Sequence, residues 1–255
     1  MRKSGHKMDA EALRDSLASE EESFKESATR QEKATNARDA SFFMRWAKNS
    51  LDYARLAYLF DTPVTDIREI LRTGIGRLQT AVEFGGALIP ALAPLYLAGA
   101  LIAEEDSLTK WIARLPKKSY THPDVQAGPS TYAYMSALQS LTIANNRKSS
   151  ATVAEFQSLL VPEKLNNPKA TLPRLAPIAG MLGALTERSQ DAFDRSWKER
   201  FSYWKKTYNK ASEIANYDGI LDIEGLGIAT LARRDGLKIP GDSPYIPLEM
   251  LPSTS

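Results

Sequence analysis

Phe43, Ala47, Leu51, Ala54 and Tyr58 recur at intervals of three and four. That spacing sets them along one face of a helix over about residues 41–60. Asp61-Thr62-Pro63 follows as a turn, with Thr62 placed to cap the next helix and Pro63 suited to its first position. Val64, Ile67, Leu71, Ile75, Leu78 and Val82 form a second stripe. Two amphipathic helices on so short a link predict an αα-hairpin.

The flanking segments are less regular. Residues 9–39 are rich in Glu, Lys, Arg, Ala and Ser, and their apolar stripe is thin: Leu13, Leu17 and Phe24. This reads as a solvent-exposed helix or a flexible arm. Residues 84–103 carry no charge, and at this length they raise the question of a membrane span. Gly85-Gly86, Pro90 and Pro94 interrupt the run, and Tyr96 sits in its middle rather than at an edge. The expectation is a loop around Pro90 and then one buried helix over about residues 93–115, ended by Pro116.

Further on, residues 132–144 read as a helix, 145–150 as a polar loop and 153–160 as a short helix. Residues 161–173, with three prolines and paired asparagines, read as irregular and as a possible sub-boundary. Residues 175–185 are apolar, with Gly180 and Gly183 allowing close helix approach. A long amphipathic helix is expected over 186–215, its stripe being Phe193, Trp197, Phe201, Trp204 and Tyr208. Asp222 can cap a last helix that ends at Arg234, with Gly236 at the position after it and Leu237 folding back. Residues 238–251 hold three prolines and suit an extended tail pinned by Tyr245, Ile246, Leu248 and Leu251. The fold expected is all-α: an irregular multi-helix bundle of antiparallel helix pairs with an extended C-terminal tail. Residues 1–40 would form the charged arm and 41–255 one helical domain.

Chemistry is sparse. The chain of 255 residues has no cysteine, so disulfides, thiolate catalysis and cysteine metal sites are excluded. The two histidines, His6 and His122, stand in no metal or triad pattern. Glu104, Glu105 and Asp106 are the best acidic cluster, but neighbours on a helix point in different directions. Gly74, Gly76, Gly219, Gly225 and Gly227 lack the strand–turn–helix setting of a nucleotide loop and suit tight helix packing instead. The net charge of +2 gives neither a basic excess for nucleic acid nor the acidity of a DNA mimic. Residues 1–15 lack an apolar stretch of the kind a signal peptide needs, so a cytoplasmic location is expected.

One segment carries a partner signal. Residues 195–210 mix aromatic residues with Arg195, Lys198, Arg200, Lys205, Lys206 and Lys210. Aromatics fall largely on one helical face and cations on others, the pattern of a core helix with a basic surface. Arg200, Lys205, Lys206 and Lys210 are the candidate residues for binding an acidic protein surface.

The C-terminal segment resembles the immunity protein 49 family of bacterial polymorphic toxin systems. The resemblance lies in Leu231-Ala232-Arg233-Arg234-Asp235-Gly236 and in Tyr245-Ile246-Pro247-Leu248-Glu249-Met250-Leu251. Ile246 replaces a leucine of the family pattern, and Met250 precedes the last leucine. The layout of residues 42–84 is also similar. The resemblance implies a helical, non-catalytic protein with no cofactor, which binds one cognate secreted toxin and blocks its active site or holds it inactive. With a cytoplasmic location, that toxin is expected to act in the cytoplasm, a nuclease of type VI secretion being one such toxin. Neither direct nucleic-acid binding nor membrane association is expected. A helical adaptor or scaffold, and a carboxylate-dependent enzyme, stay open as alternatives.

Overall fold

A computed structural model describes residues 10–31, 38–121, 125, 127–144, 146–208, 217–241 and 243–252. Among these residues the chain forms ten α-helices and no strand. The first three are α1 (Ala10–Gln31), α2 (Arg38–Leu59) and α3 (Val64–Glu83). Helices α2 and α3 make the expected hairpin, and every apolar residue of the α2 stripe is buried. The turn between them closes differently from expectation. Asp61 takes a left-handed φ of 64°, and the Thr62 amide donates back to the Ala57 carbonyl at 3.0 Å. That geometry satisfies the last carbonyls of α2. The Thr62 side chain does not cap α3, because Pro63 occupies the cap position and offers only its carbonyl, to the Asp66 and Ile67 amides.

The thin stripe of α1 docks it on the hairpin. Leu13 is buried, Leu17 and Phe24 pack against the core, and the Phe24 ring lies 5.4 Å from Tyr53.

The predicted helix over 93–115 is two helices, α4 (Ala93–Ile102) and α5 (Asp106–Ala113). The chain reverses at Glu104, which has a φ of 55°. Three consecutive acids cannot continue a buried helix. The reversal brings them to the surface, where Arg68 meets Glu104 at 2.8 Å and Arg72 meets Glu105 at 3.4 Å. Helix α4 itself is enclosed on nearly all sides, so its lack of charge reflects burial. No described helix is long and apolar enough to cross a membrane.

Helix α6 (Pro129–Thr142) starts on a proline, as its first turn permits. Helix α7 (Asn146–Ser158) begins inside the predicted polar loop. Arg147, Lys148 and Ser150 form its exposed face while Ser149, Val153 and Phe156 are buried, so the polar run is the outer side of a helix. Helix α8 (Pro168–Glu187) likewise starts inside the stretch read as irregular: Asn167 accepts from the Ala170 amide at 3.3 Å and Pro168 takes the first position. Pro173 and Pro177 lie within it.

The long helix expected from residue 186 starts later. Arg188 turns left-handed (φ 52°), and Ser189 caps α9 (Gln190–Tyr208) through the Ala192 amide. Residues 209–215 of the predicted helix lie outside the described residues. The last helix, α10 (Ile223–Arg234), is capped by Asp222, and Gly236 takes a φ of 85° at its end as expected. The Leu237 amide then reaches the Ala232 carbonyl at 2.9 Å. The tail packs on the helices: Tyr245, Ile246, Met250 and Leu251 are buried, and the Asp222 amide donates to the Tyr245 carbonyl at 2.7 Å.

One cluster of buried residues runs from Leu13 to Leu251. Close contacts hold the helices in register within it. A Cβ on Gly227 of α10 would stand 2.5 Å from the Cβ of Ala98 in α4. One on Gly180 of α8 would stand 2.3 Å from Ser196 Oγ in α9. These glycines set how near the backbones come.

Candidate functional site

Helix α9 carries the sequence-predicted site residues, and the structure divides them. Phe193, Trp197 and Trp204 point into the core. Arg195, Lys198, Glu199, Ser202, Lys205 and Lys206 are exposed. Lys210 lies outside the described residues.

Arg200 belongs to the inner face. Its side chain is 0% accessible, which corrects its reading as a surface contact. The guanidinium donates through Nε to Asp222 Oδ2 (2.7 Å) and through Nη2 to Asp222 Oδ1 (2.8 Å) and Glu224 Oε2 (3.1 Å). Nη1 donates to the Arg174 carbonyl of α8 at 3.1 Å. Trp204 covers the group, with the guanidinium carbon 4.5 Å from the ring centre. Arg174 adds a more exposed partner for Glu224 at 3.7 Å. A fork of donors matched to a carboxylate in this way is the favourable arrangement for a buried ion pair.

Burial works against the charge on Arg200. The attraction and hydrogen bond of Asp222, with Glu224 behind it, overcome this and raise the guanidinium above its ordinary value. Tyr134 lies close enough to feel the same charges. Burial, reinforced by Glu224, pushes its hydroxyl well above the ordinary range, and Arg200 opposes the shift. Asp222 therefore does two jobs, since its Oδ1 also accepts from the Gly225 amide at the start of α10. The network fastens α8, α9 and α10 together and fixes the rotation of α9. Sequence carried a signal for it: Arg200 stands three residues after Trp197 and four before Trp204, in step with the buried aromatics.

Outside this clamp, α8 and α9 form an open groove of about 470 Å³. Leu172, Pro173, Ala176 and Pro177 make an apolar wall on α8. Lys198, Glu199, Ser202, Tyr203 and Lys206 face it from α9. Among the described residues, Lys198, Lys205 and Lys206 are in no ion pair, and Glu199 is the single carboxylate lining the groove. The arrangement offers apolar contact between unneutralised cations, which suits recognition of a protein surface.

The acidic cluster is organised otherwise. Glu104 pairs with Arg68, Glu105 with Arg72 and Asp106 with Lys110, each in a different direction. Among the described residues no group of His, Asp and Glu could hold a metal ion. The cleft beside them, about 690 Å³, is bounded by Arg233 and Arg234. Arg233 donates to the Pro252 carbonyl, and Arg234 to the Leu141 and Thr142 carbonyls at the end of α6. The paired arginines thus tie the last helix to the tail and to α6. Gly225 and Gly227 are packing residues as expected: a Cβ on Gly225 would stand 2.6 Å from Asp222 Oδ2.

Comparison with curated proteins and with solved structures gave no match. A sequence-family profile described as Immunity protein 49 matches residues 90–250, more than half of the chain. The matched span runs from just before α4 through the tail and includes the whole Arg200 network; the hairpin of α2 and α3 lies before it. Members of such a family are immunity proteins, generally without catalytic activity, and each implies a cognate toxin as partner. The chain belongs to the immunity protein 49 family.

Proposed function

We propose that this protein neutralises its cognate toxin by laying the exposed basic face of α9 over an acidic surface at the toxin's active site. The observation that carries the reading is the set of exposed cations Lys198, Lys205 and Lys206, which form no ion pair among the described residues, on a helix whose rotation is fixed from below by Arg200. Lys210 continues the same basic run in sequence. Arg200 acts through position alone, since it does not reach the surface. Inhibition is steric and electrostatic: the bound face denies substrate access, and opposite charge hastens encounter. No cofactor enters this mechanism. The toxin is secreted, as through type VI secretion, and is met in the cytoplasm. If it is a nuclease, the matching acidic surface is a carboxylate-lined metal centre, because a phosphate-binding track is itself cationic and would repel these lysines.

Co-expression with the cognate toxin tests the reading. The unaltered protein restores growth, and the double reversal Lys205→Glu/Lys206→Glu loses protection while keeping its helical circular dichroism. Full protection by the double reversal would remove the α9 face from the toxin interface.

A further inference from the structure

We propose that the groove between α8 and α9 receives one neutral aromatic or large aliphatic side chain from an extended toxin segment of the pattern acid–x–anchor–x–acid. This rests on the reading of α9 as the toxin-binding face and specifies the chemistry of what it binds. Lys198 and Lys206 stand at the two ends of the groove's α9 wall. They are eight residues apart, so about 12 Å separates them along the helix. An extended chain covers about 13 Å in four residues, and its first, third and fifth side chains point the same way. A carboxylate at each end of a five-residue segment therefore meets one lysine each, and the third side chain lands midway, against Ser202 and Tyr203.

The middle of the groove is built for a neutral group. Ala176 and Pro177 supply the opposite wall, and between Glu199 and Lys206 the α9 lining is the uncharged pair Ser202 and Tyr203. The Ser202 hydroxyl is already engaged with the Lys198 carbonyl at 2.8 Å, so it makes no demand on the anchor. Pro173 and Pro177, four residues apart on one face of α8, supply the α8 wall as apolar surface. Arg200 underpins the site by fixing the angle between its two walls.

Fluorescence polarisation with end-blocked, fluorescein-labelled peptides tests this. One peptide carries Asp-Ser-Trp-Ser-Asp and the other Asp-Trp-Ser-Ser-Asp, with the same composition and a shifted anchor. The first is expected to bind at least about tenfold more tightly. Ala176→Trp, which fills the groove from an exposed position, abolishes the preference, and Ser202→Trp does so from the other wall. Equal affinity for the two peptides, or no measurable binding of either, overturns the proposal. Toxin protection separates it from the broader reading. If both filled variants protect cells while Lys205→Glu/Lys206→Glu does not, the groove falls and the basic face stands. If Lys205→Glu/Lys206→Glu protects, the face itself is wrong.

Discussion

Arg200→Met removes the positive centre of the clamp and keeps most of its volume. Three hydrogen bonds to Asp222 and Glu224 are lost with it. Asp222, with 0% accessible surface, and Glu224, with 5%, then remain as buried carboxylates facing an apolar side chain. Breaking a buried ion pair from one side costs about 3–5 kcal/mol, because the surviving charge keeps its desolvation penalty. Asp222 retains its cap on Gly225, and Arg174 stays within reach of Glu224, so the lower part of that range is expected. Against a total stability of about 5–15 kcal/mol this is a large loss. Urea unfolding followed by circular dichroism should show a lower midpoint at unchanged slope, and thermal unfolding a fall of about 6–16 °C. Adding Asp222→Asn and Glu224→Gln should restore much of the loss, since neutral amides bury more cheaply and asparagine still caps α10. A single variant within about 1 kcal/mol of the original protein would refute the argument that Arg200 is committed to a dry network.

Two other outcomes check the fold. Burial and then Asp52 raise the Glu20 carboxyl above its ordinary 4.5, against the pull of Lys48. The folded state therefore holds this proton more tightly than the unfolded one, so the group favours folding below the unfolded value and that advantage is lost as pH rises through the folded one. Glu20→Gln should stabilise the protein at neutral pH and make little difference at about pH 3; equal effects at both values in urea titrations would count against it. Gly227→Ala forces a methyl group to within 2.5 Å of Ala98 and should cost about 1–3 kcal/mol, read as a lower melting temperature. An unchanged melting temperature would mean that α4 and α10 can separate without penalty.

Much of the architecture was legible without coordinates. The stripes of α2 and α3 gave the hairpin through their 3.6-residue period, and Asp222, Gly236 and Leu237 gave both ends of α10 through cap chemistry that depends only on neighbouring residues. The pattern at Leu231–Gly236 and Tyr245–Leu251 pointed to the family that the profile match then showed. Breaks within helices were harder. Glu104 and Arg188 turn left-handed without glycine, at points where burial of the flanking helices and exposure of the charges decide the bend. The opening turns of α7 and α8 read as loop because local composition is polar or proline-rich, yet α7 buries Ser149 in its first turn and α8 reaches the core from Leu175 onward.

The division at the candidate site has the same cause. Periodicity alone assigned α9 an aromatic face and a basic face, and Lys205 and Lys206 are exposed accordingly. Arg200 could be placed on the inner face by spacing, but its role depends on Asp222 and Glu224, twenty-two and twenty-four residues away in sequence. Nothing local to α9 announces those partners. Sequence by itself determined the α2–α3 hairpin, both ends of α10 and the chemistry each segment could offer, because those depend on residues within a turn or two of one another. Only the tertiary structure decided which cation is clamped inside and which face the groove, because burial and ion pairing are properties of segments that the chain brings together from a distance.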